Sequence, residues 1–302
     1  MISGRLGIAG IGLIGGSIAL RARGTYASIA GYDCDPATLA RGLSDGVIDA
    51  AAPALDVLVR TCDTVVIALP VDATFAALAR LAGVSGPALL IDVASVKGPL
   101  AAVGAQVPNY LGTHPMAGRE RSGIGAADAA LFEGATWAYS PHADAGLVAR
   151  VRAFIECMGA RPLQIRPAEH DVIVALTSHL PQVLSVVLGA ELDAAARLDG
   201  RVLDLCGPGM LSMLRLARSP ESVWTPIVSA NSGPIAVRLR AAARALDSAA
   251  AGLEAGESAP LMSYFASARQ AADLLEERFA HDARSSAYHL PQSFPDPDPS
   301  AR

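Results

Sequence analysis

The chain has 302 residues, of which 52% are hydrophobic, 18% charged and 5% aromatic, and its formal net charge is −5. That length holds one large domain or two ordinary ones, and a net negative chain has no long-range attraction for polyanions, so nucleic acid is excluded as an expected partner. Cys34, Cys62, Cys157 and Cys206 are scattered with no C-x-x-C spacing, so neither a zinc site nor a redox pair is expected and they read as reduced residues of a cytoplasmic protein. The N-terminus lacks the charged and apolar segments of a secretory signal, and no uncharged run of about 18 apolar residues is read, so no membrane span is expected.

Arg5 to Ile11 reads as a buried strand, and it runs into Gly10-Ile11-Gly12-Leu13-Ile14-Gly15-Gly16-Ser17 and then an apolar helix. This is G-x-G-x-x-G between a strand and a helix. The first glycine permits the tight turn, the second lets the backbone approach a pyrophosphate, and the third lets helix and strand pack closely. A second strand, Ser28 to Tyr32, delivers Asp33, at the spacing where a carboxylate holds the adenine ribose hydroxyls. A carboxylate there repels a 2′-phosphate, so NAD is expected in preference to NADP. Gly10, Gly12, Leu13, Ile14, Gly15 and Asp33 are the cofactor residues of this reading, joined by Leu69 and Pro70 at a later strand end. Asp35, before Pro36, reads as the N-cap of the next helix.

The apolar runs Asp63–Pro70 and Ala88–Asp92 have the length and continuity of parallel strands covered on both faces. Tyr110 to Thr113 is shorter and delivers His114 in a Gly- and Pro-rich loop, Gly112 to Gly123. Ala135–Ser140 and Arg161–Ile165 read as the last strands. Strands alternating with helices predict a Rossmann-type doubly wound parallel sheet, whose ligands sit beyond the carboxyl ends of the strands. A lone loop histidine is usually structural, but Pro70, Ser95 and His114 all stand at such ends, so three termini point at one crevice. Ser95 reads equally as a helix N-cap.

From about Pro167 the strand pattern stops and Ala- and Leu-rich helical segments take over at 168–189, 201–218, 220–230, 233–253 and 257–280. The expected division is a dinucleotide-binding domain over 1–166, an all-helical substrate and dimerisation domain over 167–282, and a disordered Pro-, Asp- and Ser-rich tail over 283–302.

These motifs together resemble the prephenate and arogenate dehydrogenases, the cyclohexadienyl dehydrogenases of tyrosine biosynthesis. The resemblance rests on the Gly10–Ser17 turn, on Asp92-Val93-Ala94-Ser95-Val96-Lys97, on Gly112-Thr113-His114-Pro115-Met116-Ala117-Gly118 with Trp137, on Ser178-His179-Leu180-Pro181, and on Leu214-Arg215-Leu216-Ala217 with Trp224 and Asn231. It implies an NAD-dependent oxidative decarboxylation of a cyclohexadienyl substrate by a homodimer joined through its helical domain. The same resemblance gives His114 the role of general base, and Ser95 that of orienting the hydroxyl or the imidazole. It also implies substrate contacts from His179, Arg215, Glu120 and Gln182, whereas Lys97 reads as a structural pair. A base of imidazole type implies activity falling at acid pH with a pKa near the histidine range.

Prephenate is the expected substrate; arogenate, or a 4-amino analogue of prephenate, is the alternative left open by Gln182 and by the basic Arg119–Arg121 stretch. A β-hydroxyacid dehydrogenase is disfavoured because no lysine follows Lys97. An NAD-sensing dimeric regulator needs none of His114, Ser95, His179 and Arg215.

Overall fold

The structure, a computed structural model, describes residues 4–86, 88–119 and 121–282. Glu120 and the tail over 283–302 lie outside the described residues.

The N-terminal half is built on an eight-stranded sheet of order β3-β2-β1-β4-β5-β6-β7-β8. The strands are β1 Arg5–Ala9, β2 Ser28–Tyr32, β3 Ala50–Ala51, β4 Thr64–Ile67, β5 Leu89–Asp92, β6 Tyr110–Pro115, β7 Thr136–Tyr139 and β8 Arg161–Gln164. Between them run α1 Leu13–Ala22, α2 Pro36–Ser44, α3 Leu55–Thr61, α4 Val71–Leu81, α5 Gly98–Gly104 and α6 Ala145–Cys157. The order reverses between β1 and β4, which opens the crevice in which such sheets bind nucleotides. Both faces are covered. One apolar cluster holds Leu6, Ile8, Phe132, Trp137 and Phe154, and the other Leu58, Val65, Ile67, Leu78 and Leu90.

The sheet departs from the parallel expectation at one place that matters. Residues Tyr110–Gly112 of β6 pair parallel with β5, and residues Thr113–Pro115 pair antiparallel with β7. His114 is therefore not in a loop. It sits in strand, opposite Ala138, and the ladder fixes its backbone more tightly than a Gly- and Pro-rich loop would.

The predicted cap at Asp35 forms, its carboxylate accepting from Ala37 N and Thr38 N. Ser95 does not cap α5. The N-cap is Lys97, and Ser95 lies half-buried in the turn between β5 and that helix.

The second half is helical: α7 Pro167–Val174, α8 Leu180–Leu198, α9 Arg201–Asp204, α10 Pro208–Met213, α11 Glu221–Ala230, α12 Ser232–Glu254 and α13 Ala259–Asp282. The expected helix over 201–218 is broken into α9, α10 and a 3-10 turn, Leu216–Arg218, because Gly207 and Pro208 cannot continue it. The run 167–198 is, by length and composition, apolar enough to cross a membrane, contrary to the sequence expectation. It is interrupted by a wide turn, Ala175–His179, in which Leu180 N donates to Ala175 O. Pro181 explains the interruption. It has no N–H to offer Thr177 O, and its ring would collide with that carbonyl in a regular helix. The same run carries buried His170, Asp171, His179 and Gln182, which fits a helix packed on protein. Ile227 of α11, with Trp224 beside it, joins the apolar cluster of the sheet domain, so the helical half docks directly onto the nucleotide-binding half.

Candidate active site

The glycine turn has the form a pyrophosphate requires. Gly10 has φ +89°, and a Cβ on it would stand 2.3 Å from Ala68 O; a Cβ on Gly15 would stand 1.9 Å from Gly10 O. At Gly12 nothing lies within 4 Å of that position, so the side a ligand would approach is open. Helix α1 begins there with no side-chain cap, leaving its first N–H groups for an anion. Asp33, at the end of β2, accepts from Ile11 N at 2.8 Å and Asp35 N at 3.0 Å. Its carboxylate thus braces the glycine turn, and each oxygen retains a lone pair for a ribose hydroxyl. These features fit a dinucleotide. Leu69 and Pro70 flank the turn: Leu69 packs near Gly10 and Pro70 caps α4.

Behind His114 lies a closed polar network. Asp92, fully buried at the end of β5, pairs with Lys97 Nζ through Oδ1 and accepts from Tyr110 OH at 2.5 Å through Oδ2. Ala94 N also donates to Oδ1, at 2.8 Å. Burial lowers the Lys97 pKa against the opposing pull of Asp92, and burial with the Asp92 charge pushes the Tyr110 phenol well up. Lys97 is thus the structural partner the sequence suggested. Thr113 Oγ1 donates to Asp92 O and accepts from Trp137 Nε1 at 2.9 Å, which ties β5, β6 and β7 together directly beneath His114.

His114 Nδ1 lies 2.9 Å from Nε2 of His170, and His170 Nδ1 lies 2.8 Å from Asp171 Oδ1. The other carboxylate contacts are Lys97 N to Oδ1 at 2.8 Å and Gly98 N to Oδ2 at 2.7 Å. Burial works to raise the Asp171 carboxyl and is outweighed by the His170 and backbone hydrogen bonds, which hold it below the ordinary carboxylate range. Burial, then the fields of His170, Lys97 and His179, push the His114 imidazole well below its usual pKa. It is neutral at neutral pH, as a base must be, and its acid limb lies lower than the ordinary histidine range expected from sequence.

His179 is buried where the wide turn ends. Its Nδ1 accepts from Asn231 Nδ2 at 3.1 Å, and Asn231 Nδ2 also reaches Asp171 O at 2.9 Å. Burial, opposed by Asp171, lowers its pKa to about 4. The ring is neutral, with its proton on Nε2, and that buried N–H has no partner among the described residues.

Gln182, on the next turn, donates Nε2 to Leu216 O at 2.9 Å while its buried Oε1 has no partner among the described residues. Ser185 donates to Met213 O at 2.7 Å and accepts from Ala217 N at 3.0 Å. Gln182 and Ser185 therefore clasp the turn carrying Arg215, which is exposed and N-caps the 3-10 turn instead of lying on a helix face.

The structure brings His114 into one network with His170 and Asp171, two residues the sequence reading passed over. Their signal was present: an adjacent His-Asp pair in α7, just past the expected domain boundary.

The comparisons with known proteins agree with this geometry. Residues 17–164 match the family model described as prephenate dehydrogenase, nucleotide-binding domain, and residues 166–267 match prephenate dehydrogenase, dimerization domain. The chain belongs to the prephenate dehydrogenase family. It is 31% identical over 281 residues to the prephenate dehydrogenase of Bacillus subtilis, covering 90% of this chain and 76% of that one. A structure of Aquifex aeolicus prephenate dehydrogenase in complex with hydroxyphenyl propionate and NAD+ superposes with TM-score 0.83 at 23% identity, covering 90% of this chain and 98% of that one. Synechocystis arogenate dehydrogenase superposes with TM-score 0.71 at 26% identity, covering 88% and 99%. Family members are oxidoreductases, and the mostly parallel sheet followed by a helical domain is their fold.

Proposed function

We propose that the protein uses NAD to convert prephenate to 4-hydroxyphenylpyruvate by oxidative decarboxylation, in the cytoplasm, as a step of tyrosine biosynthesis. The observation that carries the reading is a neutral His114 at a strand end within the nucleotide-binding half, backed by a polar network and facing the helical half. Asp33 and the turn over Gly10, Gly12, Leu13, Ile14 and Gly15 would hold NAD, with Leu69 and Pro70 beside them. The carboxylate of Asp33 favours NAD over NADP. When bound, NAD supplies the hydride acceptor.

His114 Nε2 takes the proton of the ring C4 hydroxyl as the C4 hydrogen leaves as hydride and the oxygen forms a carbonyl. The bond from ring C1 to its carboxylate then breaks, CO2 departs, and the electron pair completes the aromatic ring. The phenolate oxygen recovers the proton from His114. Ser95 would orient the hydroxyl. Arg215 would grip a substrate carboxylate through two parallel hydrogen bonds, and the unpartnered N–H of His179 would donate to an oxygen of the substrate. Glu120 belongs to the same proposed site by sequence alone.

Arogenate is a second reading, favoured by one atom. A side-chain ketone only accepts hydrogen bonds, whereas an ammonium only donates and would satisfy Gln182 Oε1. The test is NADH or NADPH formation with prephenate, arogenate and the 4-amino analogue. Highest kcat/KM with prephenate and NAD is expected. Arogenate as the better substrate would assign the second reading, and no turnover with any would overturn both.

The helical half would form a homodimer. Leu198 and Leu205 are apolar yet 90% and 87% exposed, which favours burial against a second copy. Leu198→Asp with Leu205→Asp should convert a dimer to a monomer by sedimentation velocity; an unchanged dimer would move the interface elsewhere.

A further inference from the structure

We propose that His170 and Asp171 are positioning residues that decide which nitrogen of His114 is the base, and that docking of the helical half onto the sheet sets this choice. The inference rests on the reading of His114 as a base.

Asp171 is ionised and can only accept. Its Oδ1 takes Lys97 N–H and its Oδ2 takes Gly98 N–H, so the contact at 2.8 Å from His170 Nδ1 requires a proton on that nitrogen. Carrying that one proton, His170 presents a lone pair on Nε2. That nitrogen lies 2.9 Å from His114 Nδ1, and two lone pairs cannot face each other at this distance, so His114 Nδ1 carries the proton. His114 in its neutral form is left with its lone pair on Nε2. Each ring thus fixes the tautomer of the next. When His114 accepts a proton on Nε2, the cation that forms already donates Nδ1–H into the chain ending at the Asp171 charge. The other charged or titratable groups facing His114 are Lys97, itself paired with Asp92, and His179; neither is placed on Nδ1.

The chain also crosses the domain boundary. His114 belongs to β6, while His170 and Asp171 belong to α7, the first helix of the helical half. The Asp171 carboxylate is pinned in turn to the first N–H groups of α5, and a Cβ on Gly98 would stand 2.8 Å from Asp171 Oδ2. Only a residue without a side chain leaves room for that cap. The contact that docks α7 on α5 is therefore the one that orients His170. Without that docking, no hydrogen bond among the described residues holds a proton on His114 Nδ1, and the tautomer with the proton on Nε2, useless as a base, becomes accessible.

The direct test needs no variant. Long-range 15N–1H correlation spectra of the histidine-labelled full chain at neutral pH, with His114 assigned by comparison with His114→Asn, report which nitrogen bears the proton. The expected result is a protonated Nδ1 and an unprotonated Nε2. A proton on Nε2, as an imidazolium His170 donating to His114 would produce, overturns the proposal.

Three variants extend it. His170→Phe, which keeps a planar ring but no acceptor, should lower kcat at least about a hundredfold, within the range for loss of a correctly placed base, and move the His114 proton to Nε2, with KM for substrate and NAD nearly unchanged. His170→Gln, with an oxygen to accept from His114 and an N–H to give Asp171, should restore most of that loss. Gly98→Ala should lower kcat by prising Asp171 away. Wild-type kcat in His170→Phe, or a failure of Gln to do better than Phe, contradicts the role. A chain that never turns over any candidate substrate defeats the functional reading instead, and the spectrum still decides the tautomer.

Discussion

The two halves of the molecule treat buried polarity differently. In the nucleotide-binding half, Asp92, Lys97, Tyr110 and Thr113 are all buried and all paired with one another or with backbone. In the helical half, His179 Nε2 and Gln182 Oε1 are buried and unpaired, and large apolar side chains such as Leu198 and Leu205 face outward. A buried polar atom without a partner costs roughly 1–3 kcal/mol, and an exposed leucine forgoes the gain of burial. The first half satisfies these buried groups internally. The second carries its unmet groups where a substrate and a second copy would meet them. The difference supports the proposal that one half recognises the cofactor and the other the substrate, with His114, His170 and Asp171 at the seam.

The largest effect should come from the cofactor turn. Gly15→Ala forces a Cβ to 1.9 Å from Gly10 O, so the turn must open and calorimetric NAD binding should fall more than about a hundredfold, the equivalent of roughly two lost hydrogen bonds to a charged group. Substrate-analogue affinity should be retained. Loss of both would break the division of labour.

Arg215→Ala tests the other half. Losing a two-point ionic hydrogen bond of about 1.5–3 kcal/mol should raise the substrate KM by roughly ten- to a hundredfold. Thermal stability should scarcely change, because the side chain is exposed. Unfolding in place of a KM effect would make Arg215 structural.

Acid should sharpen the contrast through stability. In the unfolded chain His179 takes up its proton near 6.5, and in the fold only at about 4. The unfolded state therefore binds more protons between those values, and the stability this group contributes, present above 6.5, is lost as pH falls towards 4. The shift is worth roughly 3 kcal/mol, and His114, also depressed, acts in the same direction. Urea midpoints should drop across that window, and the drop should disappear in a variant lacking both histidines. An unchanged midpoint would mean that His179 is protonated in the native fold.

Much of the nucleotide-binding half was legible in the sequence, because continuous apolar strands and a glycine turn are local signals. β2 begins and ends where its apolar run does, at Ser28 and Tyr32. His114 was found by its place at a strand end, but its strand character was not, since the switch from parallel to antiparallel pairing within β6 depends on β7, more than twenty residues on. His170 was missed for a related reason. Its partner His114 is 56 positions away, and although the adjacent His-Asp pair stands out in α7, the local pattern does not say which strand it meets. His179 was singled out, yet its orientation depends on the wide turn that Pro181 imposes, which shifts the phase of the helix. Arg215 was placed on a helix because Ala- and Leu-rich composition overrode the breaks at Gly207-Pro208, and the bond by which Gln182 also holds the Arg215 turn joins residues 34 positions apart, beyond any local pattern.

The central claim is that His114 is the base that removes the substrate's hydroxyl proton. Its most direct test is His114→Asn assayed in single turnover, with NAD and substrate-analogue affinities measured separately on the same protein. The account predicts a fall of about 10²–10⁴ in the rate of NADH formation with both affinities within a few-fold of the wild type. A variant that forms NADH at the wild-type rate would contradict it.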